Sequence, residues 1–433
     1  MHILIVGAGL AGLTCARMLD RWKIDITVVE ASDGVGGRVR SDHADGYTYD
    51  RGFQVLFDAY PAAQRQLELP ALDLCAFDPG VIICLPGHRE LLTDPLRDSD
   101  LGARLEAALS PAISPLDKLR ALRLALELRG QTIDQLLQGE DQSSYTFLRQ
   151  RGFSERMIDL FFRPFYGGVL FDRALTTSAK CLKFDFKMLA DGRACLPSGG
   201  MGAISDQIAM PLLARGLVRL NAAASTLLTE GNRVVGVRLA NDQEIHADAV
   251  VIATPAPAAA RLTGITAPSG ARQTVTLYYS GDRPVYDSKK LALNPAPEAF
   301  VNNAQLLTNV APSYAPPGKH LLGATVIGIP ELSDADLFKR GLRDLHRMFA
   351  GDAAAQAALA GYQPLRLYRI PYAQFDQPPG LHPTLPDNRS GRLGLYFAAE
   401  WTEASSLNAA MISGEKCAAV VVEDNLGRQT NKQ

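Results

Sequence analysis

The chain has 433 residues, enough for two or three domains with sizeable cores, which excludes a small scaffold held together by disulfides. Lys and Arg total 44 and Asp and Glu total 46, so the net charge is −2 and a polyanion-binding protein is not expected. Hydrophobic residues make up 47% and charged residues 21%, which excludes bulk disorder.

The six cysteines are scattered along the chain without a CxxC pair, which favours reduced, mostly buried thiols over a disulfide framework. The seven histidines show no HxxxH or HExxH spacing, so we expect no metal site. No basic segment precedes an apolar run at the start, and no stretch approaches the roughly 20 apolar residues that span a bilayer. These features predict a cytoplasmic protein without a transmembrane segment. They leave peripheral membrane contact open, because an apolar docking patch has no such signature.

The first thirty residues predict a βαβ unit that binds a dinucleotide. His2–Val6 and Asp25–Glu30 are apolar runs typical of buried parallel strands, with helix-forming residues between them. The turn after the first run is G-x-G-x-x-G and comprises Gly7, Gly9, Leu10, Ala11 and Gly12. Glycines in such a turn let backbone N–H groups approach a pyrophosphate at the helix N-terminus. Glu30 would accept hydrogen bonds from ribose hydroxyls and repel a 2′-phosphate, so NADP is disfavoured.

A second glycine cluster favours FAD over NAD. Ala31 follows Glu30 directly, and a few residues later Gly36, Gly37 and Arg38 would bring two amides and a guanidinium beside the same diphosphate. These residues resemble the superfamily of flavin-containing amine oxidases, protoporphyrinogen oxidases and phytoene desaturases, whose N-terminal signature combines GxGxxG, an acidic residue and G-G-R.

The resemblance extends to three further stretches and implies additional FAD-binding residues. Residues 50–56 would run past the isoalloxazine, and residues 233–255 would form a hairpin and a strand that returns to the nucleotide domain. Residues 394–414 would place an acidic side chain by the ribityl or phosphate oxygens and a helix start by flavin O2, although the family's glycine is replaced by alanine at position 399. The residues implied are Gly52, Phe53, Gln54, Ala224, Thr254, Glu400, Leu407 and Asn408.

The resemblance implies an α/β fold in which a Rossmann-like FAD-binding domain is interleaved with an α+β substrate-binding domain of mixed antiparallel sheet and helices. The FAD-binding segments are separated in the sequence, so both domains are predicted to be discontinuous. We expect residues 1–71, 190–263 and 386–433 in the FAD-binding domain. Residues 72–189 and 264–385 are expected in the substrate-binding domain.

The expected substrate-binding domain contains three informative stretches. Leu116, Leu119, Leu122 and Leu126 follow helical spacing, which we interpret as core packing. A helix opening at Ser154 is predicted to end at the segment 163–168, R-P-F-Y-G-G. Residues 274–279, 299–307 and 323–327 predict an antiparallel sheet that lies over the flavin. Candidate substrate-cavity residues are Gln54, Arg163, Tyr166 and Tyr372.

Departures from the family pattern guide the predicted chemistry. Amine oxidases of this superfamily usually carry a lysine near N5, and residues 274–279 contain none. Their aromatic cage residue is also replaced, by the segment 405–407, S-S-L. No cysteine lies near Tyr372, so FAD is predicted to be bound noncovalently. We therefore expect oxidation or desaturation of a hydrophobic small molecule by hydride transfer to flavin N5, with no catalytic side chain identifiable beyond the flavin.

Alternatives remain at this point. The chain is alternatively an amine oxidase, a redox-neutral flavin-dependent isomerase, or a flavin-binding partner in a multienzyme assembly. The electron acceptor, whether oxygen, a quinone or a carrier protein, is not readable from the sequence. A second GxGxxG motif is absent, which disfavours direct reduction by a nicotinamide.

Overall fold

The computed structural model describes residues 1–430. The strands are β1 His2–Val6, β2 Asp25–Val29, β3 Ser41–Ala44, β4 Tyr47–Asp50, β5 Leu56–Phe57, β6 Leu74–Ala76, β7 Val81–Leu85, β8 His88–Leu92, β9 Ala194–Pro197, β10 Val218–Arg219, β11 Ala224–Glu230, β12 Arg233–Leu239, β13 Glu244–His246, β14 Ala249–Ile252, β15 Arg272–Gly281, β16 Leu291–Leu293, β17 Asn303–Leu306, β18 His320–Ile327, β19 Gln363–Gln374 and β20 Leu395–Phe397. The helices are α1 Leu10–Arg21, α2 Pro61–Gln66, α3 Leu101–Leu109, α4 Pro115–Arg129, α5 Ile133–Leu137, α6 Ser144–Gln150, α7 Glu155–Met157, α8 Arg163–Val169, α9 Ala179–Asp191, α10 Gly202–Ala214, α11 Ala256–Thr263, α12 Leu307–Val310, α13 Asp334–Met348, α14 Ala353–Leu359 and α15 Leu407–Thr430.

A five-stranded parallel sheet has the order β10-β2-β1-β14-β20. Its central strands β1 and β14 consist of β-branched and aliphatic residues that are almost entirely buried, as expected when both faces of a parallel sheet are covered. Helix α1 follows β1 directly and packs against α10 and α15. The five strands come from the first, middle and last parts of the chain.

A seven-stranded mixed sheet has the order β19-β15-β18-β17-β16-β7-β8 and is antiparallel except between β16 and β7. Alternation along β15 sorts its side chains between the two faces. Val275, Leu277 and Tyr279 belong to an apolar core shared with α13 and α14, whereas Thr274 and Thr276 face the opposite way. The predicted strands in residues 274–279 and 323–327 are present, and the fold class is confirmed.

Two smaller elements join these sheets. Strand β6 pairs with β9 in a three-stranded sheet of order β5-β9-β6. The predicted domain boundary at residue 72 lies between β5 and β6, so this sheet contains strands from both sides of the boundary. Strands β11, β12 and β13 form an antiparallel sheet, which contains the hairpin predicted after residue 233.

Two expectations about the helices were wrong. Leu116, Leu119 and Leu126 on α4 are largely exposed, and the buried leucines of that helix are Leu124 and Leu128. The other concerns the helix that opens at residue 155, which runs through the whole of the segment 163–168 expected to end it and stops at Val169. It continues through a π-helical turn over residues 158–162 into α8, because the wide turn accommodates the missing N–H of a proline at position 164. Among the described residues, every helix is too short or too polar to span a bilayer.

Candidate functional site

A cavity of about 860 Å³ runs from the carboxyl end of the parallel sheet to the seven-stranded sheet and α9. This is the position at which ligands bind to open α/β sheets, and the volume lies in the range of cofactor sites. Most of the predicted FAD-binding residues contribute to its wall: Gly7, Gly9, Leu10, Ala11, Glu30, Ala31, Gly36, Gly37, Arg38, Gly52, Phe53, Gln54, Ala224, Thr254, Glu400 and Leu407.

The first glycine turn is shaped by close backbone packing. A Cβ atom on Gly12 would lie 2.1 Å from the carbonyl oxygen of Gly7, so only glycine permits the helix to start so close to the strand. A Cβ atom on Gly9 would meet no atom within 4 Å, because this part of the turn faces the open cavity. Gly12 itself is buried behind the turn and does not line the cavity.

The carboxylate of Glu30 is held in place by backbone amides. Its Oε2 accepts a hydrogen bond from Ala8 N at 2.8 Å, and its Oε1 accepts one from Ser32 N at 2.9 Å. The hydroxyl of Ser32 donates a third hydrogen bond to Oε1 at 2.8 Å. These contacts orient the carboxylate at the cavity wall beside the first glycine turn.

The second glycine turn is joined to the first and carries an ion pair. Gly36 N donates to the carbonyl oxygen of Ala8 at 2.7 Å. Arg38 then forms an ion pair with Glu400 from the C-terminal part of the chain, with 2.5 Å between nitrogen and oxygen. Burial opposes the charge on Arg38, but the adjacent Glu400 carboxylate raises the pKa of the guanidinium above its ordinary value. Tyr372 lies behind this pair, with the guanidinium 5.5 Å from the centre of its ring, and does not line the cavity.

The segment after β4 is fixed by two hydrogen bonds at the cavity wall. Phe53 N donates to the hydroxyl oxygen of Thr276 on β15 at 3.2 Å. The amide of Gln54 donates to the carbonyl oxygen of Arg38 at 2.8 Å, which connects this segment to the second glycine turn. The backbone at Gly52 has a φ of +98°, a conformation that favours glycine. The segment therefore spans from the nucleotide motif to the second sheet.

The N-terminus of α15 faces the cavity through Ser406 and Leu407. Ser406 accepts hydrogen bonds from the amides of residues 409 and 410, which begins the helix. The side chain of Asn408 points elsewhere: its Oδ1 accepts a hydrogen bond from Ala62 N at 3.0 Å in a buried contact with α2. The positive end of the helix dipole is thus directed at the cavity.

The far end of the cavity is mostly aromatic and contains one buried carboxyl group that the sequence analysis missed. Phe57, Tyr60, Phe165 and Phe171 contribute to its wall together with Asp185 on α9. The side chain of Asp185 is 8% exposed, and no other residue of the described range 1–430 forms a hydrogen bond or ion pair with its carboxyl group. Burial raises the pKa of Asp185 to about 7. A lone aspartate in a helical sequence has no motif, so no sequence signal identified it.

Besides Tyr372, two more candidate substrate residues do not line the cavity. Tyr166 is buried in an aromatic cluster, stacked with Phe162 and Phe186, because it projects from the inner side of α8. Arg163 pairs with Asp159 one helical turn earlier and donates a hydrogen bond to the carbonyl oxygen of Arg173 at 2.9 Å. The wall at α8 is formed instead by Phe165 and the two residues that follow Gly167.

The polar groups at the nucleotide end of the cavity fit a flavin dinucleotide. Within the described range, the buried atom Thr254 Oγ1 has no hydrogen-bond partner. Buried polar atoms are normally satisfied, so such an atom at a cavity wall indicates a polar ligand. The uncovered backbone at Gly9 and the oriented Glu30 carboxylate also belong to this end of the cavity. The cavity wall is therefore polar at the nucleotide end and apolar beyond it.

Comparison with known proteins gives consistent matches over almost the whole chain. Residues 10–422 match the family model for flavin-containing amine oxidoreductases. The 15-cis-phytoene desaturase of Glycine max is 23% identical over an alignment of 467 residues, which covers 98% of this chain and 80% of the desaturase. A solved oxidoreductase from Methanosarcina mazei has a TM-score of 0.72 at 19% identity and covers 98% of this chain and 100% of that one. Putrescine oxidase bound to putrescine has a TM-score of 0.70 at 20% identity, covering 98% and 99%. The two structural likenesses show a shared fold.

Proposed function

Because the chain belongs to the flavin-containing amine oxidoreductase family, we propose that it binds FAD noncovalently and oxidises a hydrophobic small molecule. The observation that carries this proposal is the single cavity that joins a dinucleotide motif to an aromatic end. When bound, the flavin supplies a ring that accepts a hydride equivalent from substrate and is reoxidised by a second acceptor. The protein's part is to hold, orient and shield the two reactants.

At the nucleotide end, the residues suit the AMP and diphosphate groups. The Glu30 carboxylate accepts hydrogen bonds from the adenosine ribose, and the α1 N-terminus with Gly9 takes the diphosphate. Ala224 would contact the adenine through its backbone. The ion pair of Arg38 and Glu400 would hold the diphosphate and the ribityl chain.

At the ring end, the segment 52–54 passes along the isoalloxazine. The backbone N–H groups of Leu407 and Asn408, together with the α15 dipole, favour the negative charge that gathers at flavin O2 on reduction. The Asn408 side chain is engaged with α2, so it supports the helix start rather than the flavin directly. The described residues that line the cavity include no cysteine, which supports noncovalent binding.

The aromatic end is the proposed substrate chamber. Its walls are formed mainly by phenylalanine and aliphatic side chains, which favour an apolar or conjugated molecule and exclude water from the reacting bond. No lysine is found among the described residues that line the cavity, in contrast to the lysine expected for amine oxidases. The similarity to phytoene desaturases supports the same class of substrate.

One observation favours an amine as the second candidate. The Asp185 carboxyl lies among aromatic rings without a partner, and a carboxylate next to aromatic faces suits an ammonium group. An amine bound there would also lower the pKa of Asp185. A substrate without a cation would instead meet an Asp185 that is about half protonated near pH 7.

The proposal is tested with the purified protein. Its visible spectrum is expected to show bound flavin that acid releases intact, and chromatography of the released flavin identifies FAD. Anaerobic bleaching is then followed with polyenes, tetrapyrroles and amines as separate panels. Bleaching by a polyene or tetrapyrrole supports the first candidate, and bleaching by amines alone replaces it with the second. Colourless protein that FAD does not reconstitute overturns both.

A further inference from the structure

Helix α3 has the reverse of the usual surface pattern. Leu101, Leu105 and Leu109 recur every four residues on one face and are 73%, 62% and 74% exposed. The small residues Ala103 and Ala107 on the opposite face are buried, where the helix packs against β8. A helix at a protein surface normally buries its large apolar side chains and exposes polar ones. Helix α3 therefore presents to the outside the face that a helix usually covers.

Helix α4 is apolar on two sides. Leu124 and Leu128 are buried, while Leu116, Leu119 and Leu126 on the other side are 53%, 61% and 53% exposed. A helix with apolar residues on all sides is normally covered on all sides. We call the six exposed leucines of the two helices the leucine face: Leu101, Leu105, Leu109, Leu116, Leu119 and Leu126.

The charge near the leucine face differs from that of the whole chain. Residues 101–130 contain five basic and three acidic residues, whereas the whole chain has a net charge of −2. Of the acidic residues, Asp117 is buried, Glu127 is paired with Arg151, and Glu106 on α3 is exposed. Arg104 and Arg123 are exposed, and Arg123 lies on the same side of α4 as Leu119 and Leu126. The face therefore combines large aliphatic side chains with free cations.

We propose that the leucine face docks on the surface of an anionic lipid bilayer. Leucine side chains would enter the boundary between headgroups and acyl chains, while the arginines extend to the phosphates. The charge complementarity favours a lipid surface over a second copy of this chain, since two such faces would bring like charges together. The face also lacks aromatic side chains, which are enriched at the cores of protein interfaces.

The position of the leucine face suits delivery of an apolar substrate. This consequence rests on the proposed function, whereas the docking itself does not. Helix α4 packs against α9, the helix that carries Asp185 at the cavity wall. Lys187 on α9 also donates a hydrogen bond to the carbonyl oxygen of Leu128 on α4 at 3.0 Å. The docked bilayer would thus lie one helix layer from the aromatic end of the cavity.

The test is flotation of the full-length protein with vesicles of 70% phosphatidylcholine and 30% phosphatidylglycerol, and with vesicles of phosphatidylcholine alone. The variant Leu105→Ser/Leu119→Ser is compared with a matched control, Leu365→Ser/Leu393→Ser, which removes exposed leucines elsewhere. We expect the wild-type and control proteins to bind the anionic vesicles at least tenfold more strongly than the leucine-face variant. Binding to phosphatidylcholine alone, or in high salt, should be weaker.

Three outcomes overturn the proposal. They are no flotation of the wild-type protein, equal flotation of the leucine-face variant, or a wild-type dimer that this variant dissociates without any vesicle binding. The last result would assign the face to self-association. Equal melting temperatures for the variants show that a loss of flotation is not a loss of fold. None of these readouts depends on catalytic activity, so the proposed function can fail independently.

Discussion

The substitution Asp185→Asn tests the isolation of the buried carboxyl group in the cavity. This side chain is 8% exposed and has no partner within the described residues, so its ionised form has lost its hydration without compensation. Burial raises the pKa of Asp185 from 3.8 to about 7. Asparagine has almost the same shape and removes only the ionisation.

The size and sign of the effect follow from this pKa. In the unfolded chain the carboxyl ionises above pH 3.8, whereas in the folded protein it keeps its proton until about pH 7. The folded state therefore loses stability as the pH rises through this window and reaches a constant penalty above it. The difference in pKa corresponds to about 4 kcal/mol. We expect Asp185→Asn to gain about 4 kcal/mol relative to the wild type between pH 4 and pH 8.

The measurement is urea unfolding of both proteins at several pH values in this range, without substrate. The exposed residue Asp134 provides a matched control, since Asp134→Asn should follow the pH profile of the wild type. Parallel stability curves for Asp185→Asn and the wild type would refute the reasoning, because they would mean that the carboxyl ionises normally in the folded protein.

Three further substitutions test the glycine turn, the acidic residue and a buried ion pair. Gly9→Ala should fold normally but lower FAD affinity, whereas Gly12→Ala should destabilise the fold by about 3 kcal/mol or more because its Cβ overlaps a carbonyl oxygen. Thermal melting measures the loss of stability and flavin titration the loss of affinity. Equal effects of the two substitutions would contradict the turn geometry. Glu30→Ala removes a carboxylate held by two backbone amides and should weaken FAD binding at least tenfold in a fluorescence titration. Glu30→Gln should have an intermediate affinity. An unchanged affinity of Glu30→Ala would mean that Glu30 does not bind the cofactor. Lys290→Met leaves Asp98 buried without its 2.9 Å ion pair, so urea unfolding should show a loss of about 3 kcal/mol or more, and an unchanged midpoint would mean that the carboxylate is hydrated.

The parts of the site that were predictable are those in which function requires a local sequence pattern. The βαβ unit needs glycines at set positions between two apolar strands, so Gly9, Gly12 and Glu30 could be assigned from spacing alone. That Arg38 and Glu400 belong to one site was accessible only through resemblance, because no local rule connects such distant parts of a chain, and their ion pair was not predicted. The structure brings these two residues to one cavity wall.

The parts that were missed depend on what packs against a helix. Periodicity showed that Leu116, Leu119 and Leu126 share a face, but it does not tell whether protein or solvent covers that face. The same limit hid Asp185, since an aspartate in an amphipathic helix is usually solvated. A proline at position 164 usually predicts a helix end, and only the π-helical turn before it explains why the helix continues.

The ion pair between Arg38 and Glu400 has a consequence for biosynthesis. Residue 38 leaves the ribosome long before residue 400, so this wall of the cavity cannot close until residue 400 has been synthesised. The parallel sheet has the same requirement, because its edge strand β20 lies in the same part of the sequence as residue 400. Loading of the cofactor therefore requires synthesis beyond residue 400, and a chain truncated shortly before residue 395 should remain empty however complete its N-terminal motif.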